Sequence, residues 1–273
     1  MSIDKTELRE LLDFAVGLAR SAGEITLKYF RRAPETFTKS DGSFVTIADR
    51  EAEAYLRRAI TARYPDDGIF GEEEGESKGR SGRRWIVDPI DGTFSFVHGV
   101  PLYGVLIGLE IEGEASVGVV NIPALDELVC AAKELGCFFN DKPSSVSSLA
   151  TLEESLLLST DFQACIEYGF GKAADELQRR AKANRSWGDC YGHVLVATGR
   201  AEVMLDPVMN LWDCAALLPI IEEAGGTFTN WRGERTVKGG NAIATNGVLF
   251  DEVMGIVLSA ELQNRERSDR STW

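Results

Sequence analysis

The residues best placed to do chemistry lie at the end of an apolar run, Trp85-Ile86-Val87-Asp88-Pro89-Ile90-Asp91-Gly92-Thr93. The run should form a buried strand, and no lysine or arginine stands between its two aspartates. Buried carboxylates close together repel, so one takes up a proton unless a cation sits between them. Pro89 is expected to break the strand and Gly92 to permit a tight turn, so that Asp88 and Asp91 face one point. Gly92 and Thr93 would then open a short helix whose free N–H groups suit a phosphate. Oxygen donors of this kind suit a hard divalent cation. An aspartate-capped strand–turn–helix with no ligand fits the same segment.

Three other acidic segments are ambiguous alone. Ile69-Phe70-Gly71-Glu72-Glu73-Glu74-Gly75 could be a strand delivering one carboxylate inward, although a glutamate run is more often a solvated face. Trp212-Asp213-Cys214-Ala215-Ala216 places Asp213 in the first turn of an apolar helix, where it could serve only the helix dipole. Asp49, after Phe44-Val45-Thr46-Ile47-Ala48, fits an exposed helix start equally well. Among the remaining candidates, His98 and His193 lack a third orienting group and read as surface or core histidines. Gly239-Gly240 reads as a loop.

The elements that must carry these residues follow from hydrophobic spacing. Helices are expected over 5–31 and 46–63, the first with Leu8, Leu11, Leu12, Ala15, Leu18 and Ala19 on one face. A strand at 84–87 is followed by a hairpin of 103–110 and 115–121 around Glu112-Gly113, and 127–132 and 137–140 extend that antiparallel sheet. Beyond a seam near 143–150 come a strand at 155–159, helices near 170–183 and 188–198, and a strand at 201–205. A helix at 211–224 stops at Gly225-Gly226. Strands at 227–230 and 242–245 and a helix at 247–262 complete the pattern, with 263–273 a polar, frayed tail. The halves read as α+β over 1–145, holding most candidate ligands, and α/β over 146–273, holding Asp213, in one compact unit.

The 273 residues carry a formal net charge of −14, which argues against nonspecific nucleic-acid binding and against an anionic membrane surface. An anionic substrate would need something other than protein charge to attract it. Five cysteines without a C-x-x-C pair read as buried small hydrophobes in a reducing compartment. The first residues lack the pattern of a secretory leader and no run of apolar residues is long enough to span a bilayer, so a cytoplasmic protein is expected.

Taken together and in order, Gly71-Glu72-Glu73, Trp85-Ile86-Val87-Asp88-Pro89-Ile90-Asp91-Gly92-Thr93 and Trp212-Asp213-Cys214-Ala215-Ala216 resemble the motifs of the inositol monophosphatase family, magnesium-dependent and lithium-sensitive phosphatases. The resemblance covers about residues 8–262 and implies a layered αβαβα sandwich. It also implies two or three Mg²⁺ ions per site. Glu72, Asp88 and the Ile90 carbonyl would hold the first, and Asp88, Asp91 and Asp213 the second. A third would lean on Glu72. Thr93 and Asp49 would orient the attacking water, and the N–H groups of Gly92 and Thr93 would bind the phosphate. A homodimer acting on a small phosphate ester is implied as well. Phe94 and Ser95 depart from the commonest family pattern, which leaves the contact beside the phosphate open.

Within the family, Trp187-Gly188-Asp189-Cys190-Tyr191-Gly192-His193, Asp206-Pro207-Val208-Met209-Asn210 and Ser95-Phe96-Val97-His98-Gly99-Val100-Pro101 resemble the histidinol-phosphate phosphatase branch. Such a substrate carries an ammonium and an imidazole. Asp189 and Asp206 could bind them by charge-assisted hydrogen bonds, and Asn210 could pair with the imidazole. Asp189 would serve equally as a helix cap. An inositol or general polyol phosphatase is the nearest alternative, and a regulatory binding protein on the same scaffold a more distant one.

Overall fold

The computed structural model describes residues 4–39, 42 and 44–270, without the side chains of 261–270. Helix α1 (Lys5–Leu27) buries the expected stripe, from Leu8 to Ala22. The short strands β1 (Thr36–Thr38) and β2 (Phe44–Thr46) pair and lead into α2 (Ile47–Arg63). Then come β3 (Gly68–Gly71), β4 (Gly75–Ser77), β5 (Arg83–Asp91) and the one-turn helix α3 (Thr93–Val97). A meander follows: β6 (Gly104–Ile111), β7 (Glu114–Ile122), β8 (Glu127–Ala132), β9 (Gly136–Phe139) and β10 (Lys142–Ser144). These strands make an eight-stranded sheet, β10-β9-β8-β7-β6-β5-β3-β4, in which β3 and β5 run parallel and the other neighbours antiparallel.

The rest of the chain supplies β11 (Leu156–Ser159), α4 (Phe162–Glu167), α5 (Gly171–Arg180), β12 (Ala183–Arg185) and α6 (Asp189–Ala197). After these come β13 (Val203–Asp206), α7 (Leu211–Glu223), β14 (Thr227–Thr229), β15 (Ala242–Thr245) and α8 (Phe250–Arg270). The second sheet is five-stranded, β12-β11-β13-β15-β14.

Strand alternation sorts the core into layers, because successive side chains point to opposite faces. Trp85, Val105, Ile107 and Leu109 pack with Leu11, Leu18 and Leu56 of α1 and α2. Leu106, Val120 and Ile122 face the other way, onto Val194, Leu217 and Leu218 of α6 and α7. Met204 and Phe228 of the second sheet close over those helices. On its outer face, Val203, Leu205 and Ile243 pack on Leu177, Val253 and Val257 of α5 and α8. The order helices–sheet–helices–sheet–helices is the expected αβαβα sandwich. No described helix is long and apolar enough to cross a membrane, and all five cysteines are buried and free.

Helix α7 ties the layers together. It lies directly on β6 and β7 because those strands present glycines beneath it: a Cβ on Gly108 would stand 2.8 Å from that of Ala215, and one on Gly118 would stand 2.0 Å from the Ala216 carbonyl oxygen. Burial of Leu217, Leu218, Ile220 and Ile221 along this helix stabilises the contact by about 1.5–3 kcal/mol per side chain.

Several sequence expectations need correction. Pro89 does not end the strand: β5 runs on to Asp91, with a register shift between Asp88 and Asp91 that accommodates a residue without an N–H. Helix α1 stops at Leu27 rather than 31, and β1, β4, α4 and β12 went unforeseen because each is only a few residues long. The tail does not fray at 263; helix α8 continues to Arg270, and 271–273 lie outside the described residues.

Since the α7 contact has no room for a methyl group, Gly118→Ala is expected to destabilise the protein by about 1–3 kcal/mol, the usual range for overpacking. Urea denaturation checks this; an unchanged midpoint would show that α7 can move away freely.

Candidate active site

Local structure explains how separate segments bring their acids to one place. Strands β3 and β5 are parallel with Gly71 opposite Val87, so the next residues, Glu72 and Asp88, stand side by side just past the β3–β5 pairing. The Glu72 N–H donates to the Val87 carbonyl at 3.3 Å and extends the ladder by one bond. Asp88 turns inward, only 1% exposed, and accepts from the Ile90 N–H at 2.9 Å. Gly92 then reverses the chain at φ 80°, a left-handed conformation that glycine adopts without strain. It also leaves room for Asp189, whose Oδ2 would stand 3.0 Å from a Cβ there. Asp213 arrives from the first turn of α7, oriented by the Asn210 N–H, which donates to its Oδ2 at 2.6 Å.

Carboxylate oxygens of Asp88, Asp91 and Asp213 all lie within 4.8 Å of one another. Burial and then the charge of Asp213 push the Asp91 carboxyl up to about 7, although the Cys190 N–H donates to its Oδ2 at 2.5 Å. Burial likewise raises Asp213 to about 7, with Glu72, Asp206 and Asp189 adding to the effect. Asp88 is held well above the ordinary carboxylate range by burial and by Glu72, Asp91 and Asp213. Three acids that resist ionising together are a fit for a hard divalent cation, which would supply the missing positive charge. Glu72 borders the same cleft of about 420 Å³, together with Ile90, Gly92, Thr93 and Asn210.

The other expected residues fall out differently. Thr93 donates from its hydroxyl to the Ile90 carbonyl at 2.9 Å, so the two residues expected to serve water and metal already touch. Asp49 is fully buried in a capping box at the start of α2, its Oδ2 accepting from the Thr46 N–H at 2.8 Å and hydroxyl at 2.6 Å. Its Oδ1 is buried with no partner, and burial lifts the carboxyl to about 7. Ala48, next to it, packs in one cluster with Ile90, which sets the start of α2 against the end of β5. Phe94 points to solvent, 67% exposed, its ring tilted against that of His98 with centroids 4.3 Å apart.

Asp189 and Asp206 part company. The Asp189 side chain accepts no hydrogen bond among the described residues, and its backbone is held at φ 51°, an uncommon value for a residue with a side chain. Burial, Asp91 and Asp206 raise its carboxyl well above the usual range. It does not cap α6, where Gly188 takes the cap position. Asp206 does not line the cleft: it is 4% exposed, and its Oδ2 meets Nε2 of the fully buried His193 at 2.9 Å. The pair with His193 occupies Asp206 Oδ2.

Lys39 is the residue that sequence reasoning missed. Its ammonium donates to Glu72 Oε1 at 2.6 Å and to Glu73 Oε1 at 2.7 Å. Partial burial works against the charged form, but the two acids hold it above its usual range. A single lysine in a polar stretch carries no periodic signal that could have singled it out. Tyr168 and Val208, both exposed, border the cleft as well and were equally silent in sequence.

The model of the inositol monophosphatase family matches residues 7–263, and the chain belongs to that family. A histidinol-phosphatase of Chlorobaculum parvum is 48% identical over 94% of this chain and 98% of its own. Another, from Mycobacterium tuberculosis, is 39% identical over 89% and 96%. Among solved structures, an IMPase of Thermotoga maritima superposes with a TM-score of 0.84 at 32% identity, covering 93% of this chain and 99% of its own.

The raised carboxyls bind protons more tightly when folded than when unfolded. Their stabilising contribution is complete below the unfolded value of about 4 and is lost as pH rises through about 7. Metal-free protein is therefore expected to melt at a lower temperature at pH 8 than at pH 5.5 from this cluster, and Mg²⁺ should raise the melting temperature more at pH 8. Calorimetry with and without chelator checks both signs.

Proposed function

We propose that this protein is a Mg²⁺-dependent phosphomonoesterase that hydrolyses histidinol phosphate to histidinol and phosphate. The observation that carries the chemistry is the convergence of Asp88, Asp91 and Asp213 within 4.8 Å, beside Glu72. In this reading Glu72, Asp88 and the Ile90 carbonyl hold one ion, Asp88, Asp91 and Asp213 a second, and Glu72 supports a weaker third after release from Lys39. When bound, the ions neutralise the phosphate and lower the pKa of water, the chemistry that metal-assisted phosphoryl transfer requires.

The chain's own groups do the positioning. Gly92 and Thr93 border the cleft at the turn after β5, and their N–H groups hold phosphate oxygens in this reading. The Thr93 hydroxyl, already donating to the Ile90 carbonyl, accepts from the attacking water and fixes its direction. Asp49, whose buried Oδ1 has no partner among the described residues, joins Thr93 in orienting that water in this reading. Asp189, unpaired beside Gly92, receives the substrate ammonium, and Asn210 at the cleft wall pairs with the imidazole.

The choice of substrate is supported by the names of the relatives at 48% and 39% identity and by the unpaired Asp189. An inositol or general polyol monophosphatase is the second reading, favoured by a 34% identical Thermotoga maritima protein named fructose-1,6-bisphosphatase/inositol-1-monophosphatase. Work in the cytoplasm, in histidine biosynthesis and as a homodimer accords with the first reading.

Phosphate release from histidinol phosphate and from myo-inositol phosphate at equal concentration decides between them; a large preference for the inositol ester would overturn the first. Asp91→Asn should cut turnover by about two or more orders of magnitude while circular dichroism stays native, because it removes a ligand and relieves repulsion. Asp189→Ala should weaken histidinol phosphate about tenfold or more and a neutral-alcohol ester far less, a difference a steady-state comparison reads directly. Equal losses would remove Asp189 from substrate recognition.

A further inference from the structure

Glu53 sits one helical turn after Asp49 on α2, and its carboxylate is fully buried, yet nothing in the chemistry above uses it. It has every bond it needs. Oε2 accepts from the Glu73 N–H at 2.8 Å, and Oε1 accepts from the Glu74 N–H at 3.0 Å and from Arg57 Nε at 2.8 Å. Arg57 in turn donates to the Gly75 carbonyl, so the pair grips both sides of the β3–β4 turn. A Cβ on Gly71 would fall 2.2 Å from Glu53 Oε1, so the turn can press onto this carboxylate only because residue 71 is glycine.

The gripped residues are Glu73 to Gly75, and the residue between them and the β3 ladder is Glu72. Glu72 is thus pinned from two sides, by its own N–H on Val87 and by the clamp on its successor. A free three-glutamate turn would swing away from Asp88, because like charges repel and the turn projects beyond the sheet. A buried acid gripped by three donors, one of them a guanidinium, is held in one place.

We propose that Glu53, backed by Arg57, is a positioning residue that sets the Glu72 carboxylate for metal binding. Glu53 touches neither substrate nor metal and acts through the turn. The inference rests on the reading of Glu72 as a ligand, and the experiment separates the two.

The test is Mn²⁺ binding to the full chain, followed by electron paramagnetic resonance. Glu53→Gln keeps the shape but replaces one acceptor with an N–H₂ that faces a backbone donor. It is expected to weaken Mn²⁺ binding about 10- to 100-fold, as loss of groups that orient metal ligands does, and excess Mg²⁺ should restore kcat. Glu72→Gln serves as the reference. If it leaves Mn²⁺ binding unchanged, Glu72 is not a ligand and the earlier reading fails. If it weakens binding while Glu53→Gln does not, the positioning role fails alone. Val253→Ala, on the buried face of α8, lowers stability far from the site and should leave Mn²⁺ affinity untouched; a matching loss there would reduce the Glu53 effect to general destabilisation. Should Glu53→Gln not fold, Arg57→Lys decides the matter, with a smaller loss of Mn²⁺ affinity expected and an unchanged affinity overturning the proposal.

Discussion

The mutual repulsion of buried carboxylates is the constraint on which the rest of this structure depends. Asp88, Asp91 and Asp213 are held within 4.8 Å of one another, where water cannot fully screen them. Such an arrangement costs folding energy unless protons or a cation compensate it, so the surrounding structure has to impose it. It does so with rigid parts: a parallel strand pair for Glu72 and Asp88, a glycine turn after Asp91, and a helix seated on glycines for Asp213. The same device would reconcile the −14 chain with the anionic substrate proposed for it, since a cation held by the acids would present positive charge to that substrate.

Much of this was legible in sequence, for physical reasons. The apolar run before Asp88 can only be a buried strand, and acids at its end must be compensated. The stripe of α1 and the spacing of α7 follow from helical periodicity, and the β6–β7 hairpin from alternation around Glu112-Gly113. Short elements such as β12 and α4 lack enough residues to show a period. Pro89 looks like a strand end because it lacks an N–H, whereas β5 continues through it by a register shift.

The site was legible as a set of residue types and much less as a set of contacts. Asp189 and Asp206 look alike in sequence, each an acid beside an apolar segment. Folding leaves one without a partner beside Gly92 and closes the other against His193. That difference is made by β13 and α6 packing, which no local pattern records. Lys39 reaches Glu72 across more than thirty residues of chain, and Glu53 reaches the same turn from helix α2, so both are products of tertiary structure alone.

Helix α7 gives the architecture a temporal consequence. Asp88 and Asp91 emerge early in synthesis and their partner Asp213 late, on a helix that must dock between two sheets, the second of which is completed only by β14 and β15. A nascent chain that has folded its meander still lacks the acid trio. Under the proposed reading, a chain released before α7 is made would lack one of the three acids that hold the metal.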